Sequence, residues 1–258
     1  MTKTASPPVA SLLKDIRAAL EERVDEKARL APAARGGLKA IGARPGSVKA
    51  VAREIAVRHK ATLDYSLAAE LLDAAASRKV REEILVAVEL LDRFRKDFEP
   101  ALLLRMDKWS SVADDLDVAE ALGEKVAAFV LALDPSKITT IRKWARLRSV
   151  GRKRLALLAA AGLVSEGRRD AALALELCEI LLNEEHPVLV REVASLLRTT
   201  TKIDAKAVQD FLFRRSIDGN PAILRAGSEN LDAARRAALI AKLEAQQATL
   251  GALAAAGR

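Results

Sequence analysis

The sequence predicts an all-α protein, and three observations carry that expectation. Ala contributes 51 and Leu 39 of the 258 residues, so two strong helix formers supply about 35% of the chain. Apolar residues recur at helical spacing almost everywhere, and no stretch reads as a strand. With 12 Gly and 8 Pro against 30% charged and 50% hydrophobic residues, collagen-like and broadly disordered chains are excluded. Only eight residues are aromatic, so the interior must be aliphatic, and the rows of stacking rings used by single-strand binders are missing.

Taken in order, residues 1–8 form a polar, flexible tail ending in Pro7-Pro8, with no apolar run of the length a signal peptide needs. Residues 9–250 read as one domain. Breakers at Gly36-Gly37, Pro45-Gly46, Glu99-Pro100, Asp134-Pro135, Gly151, Gly167, His186-Pro187 and Asp218-Gly219 cut it into helices. Val80, Ile84, Ala87, Val88 and Leu91 form one apolar stripe; Ala171, Ala174, Leu175, Cys178 and Leu182 form another. Each stripe needs a partner helix. The Ala-rich end after Gln247 is expected to be loosely held, with 251–258 frayed.

No uncharged stretch, Leu155 to Ser165 included, reaches the ~20 residues that span a bilayer. The single Cys178 has no internal disulfide partner, and His59 and His186 make no metal-ligand pattern. No Walker loop, dinucleotide glycine pattern or nucleophile elbow is present, so neither metal nor cofactor is expected. A cytoplasmic monomer is the expectation.

A weak repeat emerges when helix starts are compared. Lys79-Val-Arg81, Arg152-Lys-Arg154 and Val188-Leu-Val-Arg191 each open an apolar helix, and Arg81, Arg154 and Arg191 lie 73 and 37 residues apart. A further copy should fall near residue 118, in a helix around Val118 to Leu122. A period near 37 with two helices per unit is the signature of an α-solenoid of the HEAT or armadillo kind. An irregular helical bundle is the alternative.

The charge is concentrated. Between Ser136 and Ser165 there is no Asp or Glu, yet the segment carries Lys137, Arg142, Lys143, Arg146, Arg148, Arg152, Lys153 and Arg154, eight cations that equal the net charge of +8. On a helix starting near Ile138, Arg142, Lys143 and Arg146 fall within about 100° of arc, opposite Ile138, Ile141, Trp144 and Ala145. The second cluster opens the next helix, where cations oppose the positive end of the macrodipole unless an anion is near. A solvated face would explain one basic helix, but two consecutive elements make a phosphate-sized trap, so nucleic acid is the expected partner. An anionic membrane would want an apolar face rich in Trp or Phe beside the cations, and this one is committed to core.

Several segments then resemble the HEAT-like DNA alkylation repair enzymes, glycosylases that act on cationic alkylated purines. Ile41-Gly42-Ala43-Arg44-Pro45-Gly46-Ser47-Val48-Lys49-Ala50-Val51-Ala52 is similar to that family's early turn and helix. Leu67-Ala-Ala-Glu70-Leu71-Leu72, then Arg81-Glu82 and Ala87-Val-Glu-Leu90-Leu91, resemble its first full helix pair. Lys108-Trp109-Ser-Ser-Val112 resembles its Trp-Asp-x-Val-Asp motif, and Arg152 to Leu158 its Trp-Leu-Arg-Arg-x-Ala segment.

The resemblance implies a C-shaped solenoid gripping duplex DNA, with aromatic rings and a carboxylate stabilising the sugar cation as the glycosidic bond breaks. Carried over by residue, Trp109 takes the motif's Trp, but Ala113 holds the place of its final Asp, Gly151 that of a Trp and Ser195 that of the last aromatic. Asp114 is one residue late, a rotation of about 100°, and Ser111-x-x-Asp114 also reads as a capping box. Trp144 reads as packing. Arg154 would hold a phosphate or pair with a carboxylate from the next repeat.

Two functions follow. One is a duplex-DNA-binding protein, with Arg142, Lys143, Arg146, Arg148, Arg152, Lys153 and Arg154 on phosphates and with Trp109 and Asp114 serving any glycosylase step. The other is a non-catalytic HEAT scaffold whose basic face docks an acidic protein.

Overall fold

The computed structural model describes residues 8–30, 37–165 and 171–256. Among these there is no strand, only the isolated bridges Val24 to Ala43 and Lys39 to Val80, so the all-α expectation holds. By contacts the chain forms two compact units, residues 1–138 and 139–258.

In the first unit, α1 (Val9–Glu21) buries Leu12, Leu13, Ile16, Ala19 and Leu20, a single helical stripe. The short α2 (Glu26–Leu30) precedes α3 (Pro45–Arg58), where Pro45 sits in the first turn and needs no hydrogen-bond acceptor. Asp64 caps α4 (Tyr65–Arg78) by accepting from the Leu67 N–H at 2.9 Å, and Lys79 at φ 55° ends it in the left-handed conformation.

The centre of this unit is α5 (Arg81–Asp92), on which the predicted stripe of Val80, Ile84, Ala87, Val88 and Leu91 is buried throughout. Its first turn also buries two carboxylates. Glu82 accepts from the Ile41 and Gly42 N–H groups at 2.9 and 3.0 Å, while Glu83 pairs with Arg17 Nε at 2.7 Å and Arg78 Nε at 3.1 Å. Gly42 belongs there for a steric reason as well: its φ is +97°, and a Cβ would stand 2.6 Å from the Arg29 Cβ. After α6 (Leu102–Trp109) and a 3-10 turn at Ser110–Val112, α7 (Leu116–Glu120) runs through a π-helical stretch at Ala121–Ala127 into α8 (Ala128–Leu133). The helix expected around residue 118 is therefore present.

The second unit opens with α9 (Ile138–Arg146), then α10 (Val150–Ser165) and α11 (Ala171–Ile180). The break expected at Gly151 falls just before it, at residues 147–149, and Gly151 itself is buried in the first turn of α10. Gly167, also expected to break the chain, lies outside the described residues. On α11 the buried stripe is Leu173, Ala174, Leu177 and Cys178, with Ala171 and Leu175 only half-buried, so the helix is rotated from the expected register.

His186 starts α12 (Pro187–Thr201), its Nδ1 accepting from the Val188 N–H at 3.3 Å. Asp204 caps α13 (Ala205–Arg214) and Asn220 caps α14 (Pro221–Gly227). The last helix, α15 (Ala233–Ala256), carries its backbone through most of the segment expected to fray, consistent with the helix propensity of its alanines.

Packing joins both neighbours and next neighbours. In the first unit α5 packs on α4 and on α3; in the second α12 packs on α10 and α14 and also on its neighbours α11 and α13. Side chains that tie these helices lie at a recurring spacing. Trp109 and Asp73 are 36 residues apart, as are Lys125 and Glu89, Arg215 and Glu179, and Asn220 and Glu184; Arg81 and Asp115 are 34 apart and Arg154 and Glu192 38. That interval brackets the period of 37 read from the helix starts.

Candidate nucleic-acid interface

Trp109 closes α6 with its indole turned inward. It is 0% exposed, and its Nε1 donates to Asp73 Oδ1 at 2.8 Å from α4, so the polar end of the ring is satisfied inside the unit. The ring expected beside a damaged nucleotide thus lies in the core, because a carboxylate one helix pair earlier holds it there. Ala113 is buried too.

Asp114 is exposed, in the turn that follows the 3-10 segment, and the N-cap of α7 is its neighbour Asp115. The capping box expected at Ser111 and Asp114 is displaced. Ser111 donates its hydroxyl to the Lys108 carbonyl at 2.9 Å, and the cap of α7 is Asp115, whose Oδ1 accepts from the Val118 N–H at 3.1 Å. The other oxygen of Asp115 accepts from Arg81 Nε at 3.1 Å. Asp115 is 0% exposed, and Arg81 also reaches Asp117. This buried carboxylate, absent from the expected site, anchors one helix pair to the next; its signal in the sequence is a second Asp directly after Asp114.

The basic segment divides into paired and unpaired cations. On α9, Ile141, Trp144 and Ala145 are buried as the stripe predicts, confirming Trp144 as packing. Arg142, expected on DNA, makes a forked pair with Glu176 on α11, Nε to both carboxylate oxygens at 2.7 and 2.9 Å and Nη2 to one at 2.7 Å. Lys153 pairs with Glu184, and Arg154, 3% exposed, donates through Nε to Glu192 on α12 at 2.9 Å. For Arg154 the pairing with a carboxylate of a later helix is therefore the observed one. The segment lacks acids in sequence, but its partners arrive from 31 to 38 residues downstream.

Lys143, Arg146 and Arg148 remain exposed. Arg146 donates to the Arg142 carbonyl at 3.2 Å, and Lys143 and Arg148 make no ion pair among the described residues. Arg152 is half-buried at the start of α10. Ser195, at the place of an aromatic, is half-buried on α12. Burial pushes the Cys178 thiol far above its usual range, so it stays protonated and inert. No group of His, Cys, Asp and Glu able to hold a metal occurs among the described residues.

The profile of the DNA alkylation repair enzyme family matches residues 16–231. The chain belongs to that family. No curated protein matches it at a significant level. The span matched to the DNA alkylation repair family includes Ala113, Gly151 and Ser195. No described helix is long and apolar enough to cross a membrane.

Proposed function

We propose that this family member binds duplex DNA through its phosphate backbone, with residues 9–250 acting as one HEAT-like solenoid domain, and that it excises alkylated purines poorly or not at all. The observation that carries this is the division of labour among its groups. Lys143 and Arg146 on α9 and Arg148 in the turn after it are exposed, while Trp109 and Ala113 are buried, Ala113 standing where the resemblance puts the lesion-side carboxylate. Such a surface attracts a polyanion without reading base edges.

The recurring separation of 34 to 38 residues between tied side chains supports the repeat reading. If about three cations neutralise phosphates, log affinity should fall with log salt at a slope near −3. Arg142, Lys153 and Arg154 contribute less, being already paired with carboxylates, and Arg152 belongs to the same basic segment, half-buried at the start of α10.

The deciding experiment measures release of alkylated bases from methylated duplex DNA alongside fluorescence anisotropy on the same duplex. Binding with base release at background is the expected result. Robust release that disappears in Asp114→Asn would overturn it and make Asp114 catalytic. Absence of binding at low salt, with capture of a defined acidic protein, would turn the function to a scaffold.

A further inference from the structure

The cations of α9 and α10 surround a hydroxyl that backbone binding leaves without a task. Ser149 stands in the turn of residues 147–149 between the two helices, half-buried. Its Oγ accepts from the Arg152 N–H at 3.3 Å and its carbonyl from the Lys153 N–H at 3.1 Å, which makes it the N-cap of a 16-residue helix. A single side-chain oxygen satisfies a single donor. The N–H groups of Val150 and Gly151 lie too early in α10 to reach a carbonyl of their own helix. No acid stands in the first turn, where Arg152 and Lys153 set positive charge against the positive end of the macrodipole.

Ser149 is also placed for a modifying enzyme. Arg146 and Arg148, three residues and one residue before it, are both exposed. Basic residues just ahead of an acceptor hydroxyl are a charge pattern that serine kinases select. Three other serines follow an arginine within three residues, and each lacks part of this arrangement. Ser216 and Ser228 are 2% and 0% exposed, their hydroxyls donating to the Phe213 and Arg225 carbonyls. Ser47 follows Arg44, but that guanidinium is taken by Asp25 at 2.5 Å.

We propose that Ser149 is a phosphorylation site for a serine kinase that reads basic residues, and that the phosphoryl group switches off polyanion binding by this segment. In the transfer, Ser149 Oγ attacks the γ-phosphorus of ATP and the bond from that phosphorus to the bridging oxygen breaks. ADP leaves with the electron pair, and the hydroxyl proton passes to the kinase's carboxylate base. The product adds a charge of about −1.5 to −2 near pH 7 and three strong acceptor oxygens. At a helix N-terminus both are favourable, because the unsatisfied N–H groups and the macrodipole favour an anion. The same charge offsets Arg146 and Arg148, the exposed cations nearest to it in the chain. Phosphoserine 149 thus anchors the start of α10 while occupying the field that would otherwise draw a DNA phosphate.

This switch rests on the duplex-DNA reading above, and its test separates the two. The full chain is incubated with ATP and a serine kinase that requires arginine three residues before its target, and the modified peptides are mapped by mass spectrometry. Phosphate should enter at Ser149 and not at Ser216 or Ser228; a chain that takes none at Ser149 would overturn the assignment. Anisotropy titrations of a labelled duplex across a salt series then compare the phosphorylated and unmodified chains with Ser149→Asp and Ser149→Asn. Asn and Asp cap a helix about as well as Ser, so these two variants differ in charge alone. The phosphorylated chain should bind about tenfold or more weakly near 0.1 M salt with the slope flattened by about two, Ser149→Asp should flatten it by about one, and Ser149→Asn should leave it unchanged. Thermal unfolding of the phosphorylated chain should move to higher temperature, and a fall would overturn the anchoring of α10. Equal slopes for the phosphorylated and unmodified chains, both binding, would overturn the switch and leave the duplex-DNA reading standing. An equal loss in Ser149→Asn and Ser149→Asp would overturn it as altered capping. No duplex binding by the unmodified chain at low salt would overturn both.

Discussion

Asp115 and Arg81 show what a single residue does here. Asp115 is fully buried, caps α7 and takes the Arg81 guanidinium, so each charge depends on the other. Removing one partner of a buried pair leaves the other uncompensated, and Arg81→Ala should therefore cost about 3 kcal/mol or more. Asp114→Ala, one residue earlier but exposed, should stay within about 0.5 kcal/mol in the same urea or thermal unfolding series. Equal effects at the two positions would reject the assignment of the cap. Gly42→Ala should also destabilise, by roughly 1 to 3 kcal/mol, because φ +97° and a 2.6 Å approach to Arg29 both exclude a side chain. A melting temperature equal to that of the unaltered chain would contradict that. Sequence showed Trp109 and a carboxylate nearby, but not that Asp73 accepts the indole N–H from 36 residues away. The capping frame slipped by one because the 3-10 turn at Ser110–Val112 delays the start of α7.

At the scale of elements the sequence was more readable, since periodicity acts over a turn and propensity over a helix. α5, α10 and α12 start at Arg81, Val150 and Pro187, within two residues of the openings expected at Lys79-Val-Arg81, Arg152-Lys-Arg154 and Val188-Leu-Val-Arg191, with Lys79 in a left-handed turn before α5 and Pro187 in the first turn of α12. The break expected at Gly151 falls at residues 147–149, because Gly151 is taken into the first turn of α10. The basic run around α9 and α10 was legible as charge and illegible as pairing, because Glu176, Glu184 and Glu192 come from later helices. This distinction has a measurable consequence. Arg154→Ala strands Glu192, itself 11% exposed, and should lower the melting temperature by several degrees, on the order of 3 kcal/mol, whereas Arg148→Ala should leave it unchanged. Differential scanning fluorimetry on the two variants suffices, and a stable Arg154→Ala protein would show that the pair is not structural.

For the whole molecule, the net charge of +8 is an excess left over after many carboxylates are taken by specific cations. On the proposed function, DNA binding depends on which cations are left, and with Trp109 and Ala113 both buried, electrostatics is the proposed source of affinity. The measurement that tests this most directly is the salt dependence of duplex affinity for Arg148→Ala and Arg154→Ala beside the unaltered protein. The account predicts that Arg148→Ala flattens the log–log slope by about one with no loss of fold, while Arg154→Ala leaves the slope as it was. A slope near zero for the unaltered chain, or an equal flattening in Arg154→Ala, would contradict it.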